Sequence, residues 1–203
     1  MRIIAGEFRG RTLKAPKGEG TRPTTDRVRE AMMSTVHSAR GGFDDAVVLD
    51  AFAGSGALGL EALSRGARSV QFCERGGEAL RALNANVRLL GLDARRARVR
   101  KGDVLKDVPY ARPPFDLVFL DPPYACAAAE VLGLVVALRT RAALSDDAIV
   151  VYELAWAAND EVEEAAKARD LSIAQRKKYG DTVVDLLKPS CGAAAATPAP
   201  EEE

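Results

Sequence analysis

The chain passes from a short apolar run into a glycine loop at residues 46–59, which read AVVLDAFAGSGALG. The four apolar residues before Asp50 are typical of a buried strand, and the apolar spacing after the loop is typical of a helix. The loop places Gly54, Gly56 and Gly59 in a G-x-G-x-x-G pattern, whose glycines let the backbone approach a ligand closely. This unit predicts an open α/β sheet with a ligand site at the end of its first strand.

Strands and helices alternate through most of the remaining chain. Helices are predicted from Asp26 and over residues 58–63, 79–90 and 128–138; strands are predicted over 46–49, 69–73, 97–99, 115–120, 148–154, 171–177 and 182–187. Such alternation favours βαβ units and a mostly parallel sheet. The last two strands flank the turn-like residues 179–181, which predict an antiparallel hairpin. The expected fold is a Rossmann-like, seven-stranded α/β sheet.

Charge is distributed unevenly along a chain of 203 residues whose net charge is zero. Residues 1–40 carry nine basic and four acidic side chains. We interpret them as a basic, substrate-contacting extension made of a small β-hairpin around Arg9-Gly10 and one helix. Residues 41–190 are predicted to form the catalytic domain. Residues 191–203, which are rich in Ala, Pro and Glu, are predicted to be a disordered tail.

Several function classes are disfavoured by composition. The longest apolar stretches are far shorter than a membrane span, and no apolar leader opens the chain, so we expect a soluble cytoplasmic protein. Cys73, Cys126 and Cys191 lack the spacing of metal ligands, and His37 is the single histidine, expected at the surface. We therefore expect no metal. We also expect a monomer.

Acidic residues fall at the predicted ends of the first three strands. Glu74 lies twenty residues after Gly54, where a carboxylate can bind both hydroxyls of a ribose. Asp50 would attract the amino group of a methionine moiety but would repel a pyrophosphate, and Asp103 could accept the adenine amino group. S-adenosylmethionine is thus favoured over a nicotinamide dinucleotide. The predicted cofactor-binding residues are Asp50, Phe52, Gly54, Ser55, Gly56, Glu74, Arg75, Gly102, Asp103, Val104 and Asp121.

The motif Asp121-Pro122-Pro123-Tyr124 follows the predicted strand 115–120, at the edge where open α/β sheets bind ligands. The exocyclic amino group of a base is a poor nucleophile because its lone pair is delocalised into the ring. The Asp121 carboxylate and the Pro122 carbonyl could each accept one N–H and direct that lone pair at a methyl group. Tyr124 offers a face for a flipped-out base. All four residues are predicted to be catalytic, in methyl transfer to a base nitrogen.

The chain resembles the bacterial RsmD-like enzymes, which methylate N2 of a guanine in 16S ribosomal RNA. The resemblance rests on residues 1–11, 21–30, 49–59, 121–124 and 178–182. It implies a class I methyltransferase fold, S-adenosylmethionine as cofactor and 16S rRNA, within the small ribosomal subunit, as partner. It also implies an N-terminal hairpin that grips RNA. The residues assigned to RNA are Arg2, Arg9, Arg11, Arg22, Thr24 and Arg27.

Other interpretations remain open from the residues alone. A DNA adenine-N6 or cytosine-N4 methyltransferase uses an equivalent Asp-Pro-Pro-Tyr motif, although no separate recognition domain is evident. A nicotinamide-dependent oxidoreductase or a non-catalytic nucleic-acid-binding protein could also use this fold. Cys126 as a nucleophile is disfavoured because its alanine neighbours would not lower a thiol pKa. Tyr152 and Trp156 are interpreted as core or rim aromatics.

Overall fold

A computed structural model of the chain describes residues 1–16 and 26–189. The helices are α1 (Asp26–Arg40), α2 (Ala57–Ser64), α3 (Gly77–Leu89), α4 (Ala128–Thr140) and α5 (Asn159–Lys167). The strands are β1 (Val47–Asp50), β2 (Ser69–Glu74), β3 (Ala97–Lys101), β4 (Phe115–Leu120), β5 (Leu144–Ala155), β6 (Leu171–Tyr179) and β7 (Thr182–Pro189). No helix in these two ranges is long and apolar enough to cross a membrane.

The seven strands form one sheet in the order β3-β2-β1-β4-β5-β7-β6. The first five are parallel, whereas β7 is antiparallel to both β5 and β6. The predicted parallel sheet with a C-terminal antiparallel hairpin is therefore confirmed. The strand order reverses between β1 and β4, and ligands bind at such a switch point in open α/β sheets. The loops that follow β1 and β4 hold the glycine loop and the Asp121 motif.

Two apolar layers cover the two faces of the sheet. On one face, α1, α2 and α3 share a core with Ile3 and Leu13 of residues 1–14, which we call the N-terminal segment. On the other face, α4 and α5 pack against β4, β5 and β7. Two core clusters on opposite faces explain why β1 and β4 are apolar almost throughout, since parallel strands are buried on both sides.

The N-terminal segment folds back on itself beside α2. Its two arms meet in one antiparallel bridge between Arg2 and Thr12, where the sequence predicts a small β-hairpin around Arg9-Gly10. Residues 7–10 form the turn, and the Gly10 amide donates to the Ile3 carbonyl at 2.9 Å. Besides these internal bonds, side chains of α2 and α3 hydrogen-bond the backbone of the segment.

Some elements differ from the sequence prediction. Helix α5 was missed because its sequence, NDEVEEAAK, buries only Val162, Ala165 and Ala166, too few apolar residues for a clear helical period. Strand β5 begins at Leu144, four residues earlier than expected. The predictions for Arg22, Thr24 and residues 191–203 lie outside the described residues.

Candidate active site

Asp50 is the innermost acidic group of the candidate site. It ends β1, is 1% exposed, and accepts a 3.0 Å hydrogen bond at Oδ2 from the Gly59 amide in the first turn of α2. The residue that precedes helix α2 provides no side-chain cap, so the Asp50 carboxylate accepts a hydrogen bond from one of the otherwise unpaired amides of its first turn. The side chain predicted to face the cofactor thus also supports the helix behind the glycine loop.

The charge state of Asp50 is set by its surroundings. Burial raises the pKa of its carboxyl to about 7, the Gly59 amide opposes that rise, and the carboxylates of Asp121 and Glu74 add to it. Like charges disfavour ionisation, so the carboxylates at the ends of β2 and β4 add to the effect of burial on Asp50 at the end of β1. A cation at this edge would relieve the repulsion and favour ionised Asp50.

The three glycines of the loop serve different purposes. A Cβ on Gly59 would lie 2.4 Å from Cε1 of Phe72, and a Cβ on Gly56 would lie 2.4 Å from Cδ1 of Leu83. Both glycines are therefore required by packing, and Gly56 also has a φ of +83°. Nothing lies within 4 Å of the corresponding position on Gly54. Open space for a ligand is found beside Gly54 alone of the three.

Glu74 is fixed at the end of β2 by the loops on either side of it. Its Oε2 accepts the Gly54 amide at 2.7 Å and its Oε1 accepts the Gly76 amide at 2.5 Å. Each carboxylate oxygen can accept more than one hydrogen bond, so both retain capacity for ligand hydroxyls. The two amides orient the carboxylate towards the loop that Gly54 opens.

The other predicted cofactor residues surround this loop at different depths. Asp103 follows β3, where its Oδ1 accepts the Leu105 amide at 3.1 Å and its Oδ2 pairs with the exposed Arg75 at 3.2 Å. Ser55 is 7% exposed. Phe52 packs against the core, Gly102 donates its amide to the Glu74 carbonyl, and Val104 is buried.

The Asp-Pro-Pro-Tyr motif leaves the sheet at the end of β4, the strand next to β1. Cys126 donates its amide to the Pro123 carbonyl at 2.9 Å, which closes the turn. Within the described ranges the Pro122 carbonyl accepts no backbone hydrogen bond, so it can accept one from a ligand. Tyr124 is 63% exposed and Asp121 is half-buried. The motif thus brings together a carboxylate, a carbonyl and an aromatic face.

The arginines assigned to RNA lie on the surface, but at different distances from this edge. Arg2, Arg9, Arg11 and Arg27 are all exposed. The turn that holds Arg9 lies at the far end of α2, because the Phe8 amide donates to Oγ of Ser64 at 2.9 Å. An eight-residue helix is about 12 Å long. Arg9 is therefore about one helix length from the glycine loop.

Buried polar residues that the sequence analysis missed hold the N-terminal segment in place. Glu61 is fully buried and accepts the amides of Ile4 and Ala5 at 2.8 and 3.1 Å. Asn86 is also fully buried and bonds both backbone groups of Lys14, at 2.8 and 3.0 Å. In the sequence, Glu61 and Asn86 are recognisable only as single polar residues among the apolar positions of a helix.

Asn86 also links the segment to the cofactor loop. Its Nδ2 donates to the Ser55 carbonyl at 2.9 Å. Arg29 of α1 is 1% exposed and donates to the Arg2 carbonyl at 2.5 Å. Residues 1–14 are therefore tied to α1, α2, α3 and the glycine loop.

The sheet order, the helices on both faces and the ligand-bearing loops at the carboxyl edge define a Rossmann-like class I methyltransferase fold. In the part of the chain that the structure describes, no group of acidic, histidine or cysteine side chains could hold a metal ion. The chain belongs to the family described as Conserved hypothetical protein 95, whose model matches residues 1–188.

Named relatives agree with the RsmD-like resemblance, which is confirmed. The chain is 39% identical over 154 residues to "Ribosomal RNA small subunit methyltransferase D" of Escherichia coli strain K12, covering 75% of this chain and 74% of that protein. It is 35% identical over 191 residues to "Putative rRNA methyltransferase YlbH" of Bacillus subtilis, covering 93% of this chain and 98% of that protein. A solved structure described as "Putative methyltransferase yhhF from Escherichia coli" superposes with a TM-score of 0.75 at 34% identity, covering 94% of this chain and 98% of that one.

Proposed function

We propose that the protein transfers a methyl group from S-adenosylmethionine to the exocyclic N2 of a guanine in 16S rRNA. The observation that carries the proposal is the Asp-Pro-Pro-Tyr turn at the end of β4, beside the buried Asp50 that ends β1. Relatives named ribosomal RNA small subunit methyltransferase D support the substrate class. We further propose that the enzyme is a cytoplasmic monomer and that the target guanine lies in the small ribosomal subunit.

The cofactor-binding edge fits the chemistry of S-adenosylmethionine. That molecule supplies an electrophilic methyl group on a sulfonium and carries a second positive charge on its amino group. Three acidic side chains at this edge, Asp50, Glu74 and Asp121, would supply the negative charge that such a cation needs. Their proximity is evident in the pKa of Asp50, which the carboxylates of Asp121 and Glu74 raise further beyond the effect of burial. Glu74 would bind the ribose hydroxyls, and Asp103 would accept the adenine amino group.

The guanine would be held by the turn after β4. Asp121 and the Pro122 carbonyl would each accept one N–H of the amino group, which orients its lone pair towards the methyl donor. Tyr124, 63% exposed, would stack on the flipped-out base. Proline fixes the backbone of the turn, so these acceptors need little rearrangement when substrate binds.

The exposed arginines of the N-terminal segment would contact phosphates. Changing Arg9 and Arg11 together to Ala should weaken RNA binding and reduce the log–log salt slope by up to about 0.7 to 0.9 per lost contact. The exposed Arg95, which pairs locally with Asp93, provides a matched control on another surface. An unchanged salt slope in the double variant would show that Arg9 and Arg11 do not contact RNA phosphates.

The direct test is transfer of a labelled methyl group to small ribosomal subunits, free 16S rRNA and DNA in parallel, followed by nucleoside analysis. N2-methylguanosine in the ribosomal samples would support the proposal. Label in DNA would instead favour the adenine or cytosine amino methyltransferase, and label in none of the three would overturn the proposed function.

A variant pair isolates the role of the motif. Asp121→Ala should abolish transfer while cofactor binding persists, because it removes an acceptor for the amino group. Asp116→Ala, near the start of the strand that Asp121 follows, should leave transfer close to wild type, because Asp116 contacts Arg40 and Val47 instead of the site. Retained turnover in the Asp121 variant would refute its assigned role.

A further inference from the structure

Trp156 forms an exposed aromatic surface outside the residues assigned to the reaction. It is 46% exposed, although Nζ of Lys178 lies 3.6 Å from the centre of its ring. Its amide donates to the Asp181 carbonyl at 2.8 Å, in the turn between β6 and β7. The backbone of Trp156 is therefore fixed beside this turn, its indole lies next to an exposed lysine, and its exposure agrees with the predicted rim position.

The strand register places Trp156 at the same edge of the sheet as Tyr124. Leu120 of β4 pairs with Tyr152 of β5, and each aromatic residue lies four positions after its own strand's member of that pair. Neighbouring strands lie about 4.8 Å apart. Two exposed aromatic residues thus leave adjacent strands on the side where the substrate is proposed to bind.

A hydrogen bond joins the two segments that carry these aromatics. Glu161 of α5, five residues after Trp156, accepts the Ala128 amide at the start of α4 at 2.8 Å. Ala127, which precedes α4, supplies no side-chain cap, so the Glu161 carboxylate takes that role from a neighbouring helix. The contact couples the turn at 121–127 to the turn at 156–158.

We propose that Trp156 and Lys178 form a subsite for the nucleotide next to the methylated guanine, with the indole stacking on its base and the ammonium contacting its phosphate. The inference rests on the proposed RNA substrate and extends its binding surface beyond Tyr124. An indole face accepts any base, and a neighbouring lysine adds affinity for the backbone. The subsite therefore contributes affinity and orientation of the strand without reading its sequence.

The test uses the natural fluorescence of Trp156, which is the single tryptophan of the chain. The full-length protein is titrated with free 16S rRNA and, separately, with heparin, a polyanion without bases. Stacking predicts saturable quenching by RNA and little change with heparin. Equal quenching by both polymers, or none by RNA, would overturn the subsite.

Variants measured by binding of labelled RNA provide a second readout. Trp156→Ala should weaken affinity about tenfold, and Trp156→Phe should recover most of it because a ring face is retained. Lys178→Gln should lower the salt slope by about 0.7. Tyr110→Ala is the matched control, since Tyr110 is also 46% exposed and also pairs with a cation, Arg112.

Methyl transfer in the same preparations separates the two proposals. If wild-type protein methylates 16S rRNA while neither Trp156 variant changes RNA affinity, the subsite is wrong and the proposed function stands. If no RNA is methylated, the proposed function itself fails. Loss of affinity in Trp156→Ala with unchanged affinity for S-adenosylmethionine supports the subsite and excludes a general folding defect.

Discussion

Replacing Asp50 by Asn should change how the stability of the protein depends on pH. The carboxyl is 1% exposed, and burial raises its pKa to about 7 from an ordinary 3.8. The folded protein therefore holds this proton at pH values where the unfolded chain has released it. Stability falls as pH rises wherever the folded state binds more protons than the unfolded state. Asp50 therefore lowers the free energy of unfolding progressively as pH rises from about 4 to about 7.

The size of the effect follows from the pKa. At about 1.4 kcal/mol per pKa unit, a rise from 3.8 to about 7 corresponds to about 4 kcal/mol against the ionised folded form. Asn stays neutral at every pH, and its carbonyl can still accept the Gly59 amide, which Asp50 Oδ2 accepts at 3.0 Å. Relative to wild type, Asp50→Asn should therefore gain about 2 to 4 kcal/mol as pH rises from about 4 to about 8.

Urea unfolding of both proteins without cofactor, repeated across this pH range, measures the difference curve. A cost from the new buried amide group would shift the whole curve but not its slope. Asp93→Asn gives a control whose difference curve should be flat over most of this range, because the Arg96 amide and the Arg95 side chain lower the pKa of Asp93 from its ordinary 3.8. The stability that Asp93 contributes is fully present above its unfolded pKa and is lost only as pH falls below that value.

A flat difference curve for Asp50→Asn would refute the reasoning, since it would mean that Asp50 ionises equally easily in the folded and unfolded states. The same substitution should weaken binding of S-adenosylmethionine, most strongly above about pH 7, where wild-type Asp50 is charged. A variant that is more stable yet binds the cofactor less well would show that the carboxylate is retained for binding at a cost in stability.

Further changes test the packing and the base-binding surface. Gly59→Ala should destabilise by about 1 to 3 kcal/mol in urea unfolding, because its Cβ would lie 2.4 Å from the Phe72 ring. Asn86→Ala should cost about 1 to 3 kcal/mol and speed amide exchange at Lys14, whose amide it accepts at 2.8 Å. Tyr124→Ala should weaken RNA binding about tenfold, Tyr124→Phe much less, and neither should change stability appreciably, because the side chain is 63% exposed.

Much of the sheet could be predicted because the apolar composition of its buried strands is visible in the sequence. β1 and β4 are apolar on both faces, and the hairpin β6–β7 is marked by the turn that contains Gly180. Helix α5 could not be predicted, since acidic residues make up four of its nine positions and its buried stripe is made of only three small or branched side chains. Its position depends on packing against α4, a tertiary contact that local periodicity does not contain.

The candidate site was predictable as a set of residue types at strand ends, but not in its interactions. Spacing alone placed Asp50, Glu74 and Asp121 at one edge. It did not show that Asp50 also serves the amide of Gly59, nor that burial and neighbouring carboxylates raise its pKa. These depend on distances between side chains that are remote in sequence, which only the fold determines.

The N-terminal segment shows how a change in composition can conceal a continuous core. Its basic character distinguishes it in the sequence, yet Ile3 and Leu13 are 1% and 4% exposed in the cluster that also buries α2 and α3. Asn86 bonds both the segment and the Ser55 carbonyl of the glycine loop, so a shift of either backbone would leave a buried polar group unpaired. The segment is thereby linked to the loop proposed to bind the cofactor through the Asn86 amide group, and also through the 3.9 Å hydrogen bond that Ser55 Oγ donates to Met1 Sδ. RNA held by the arginines of the segment would act on that loop through these two contacts.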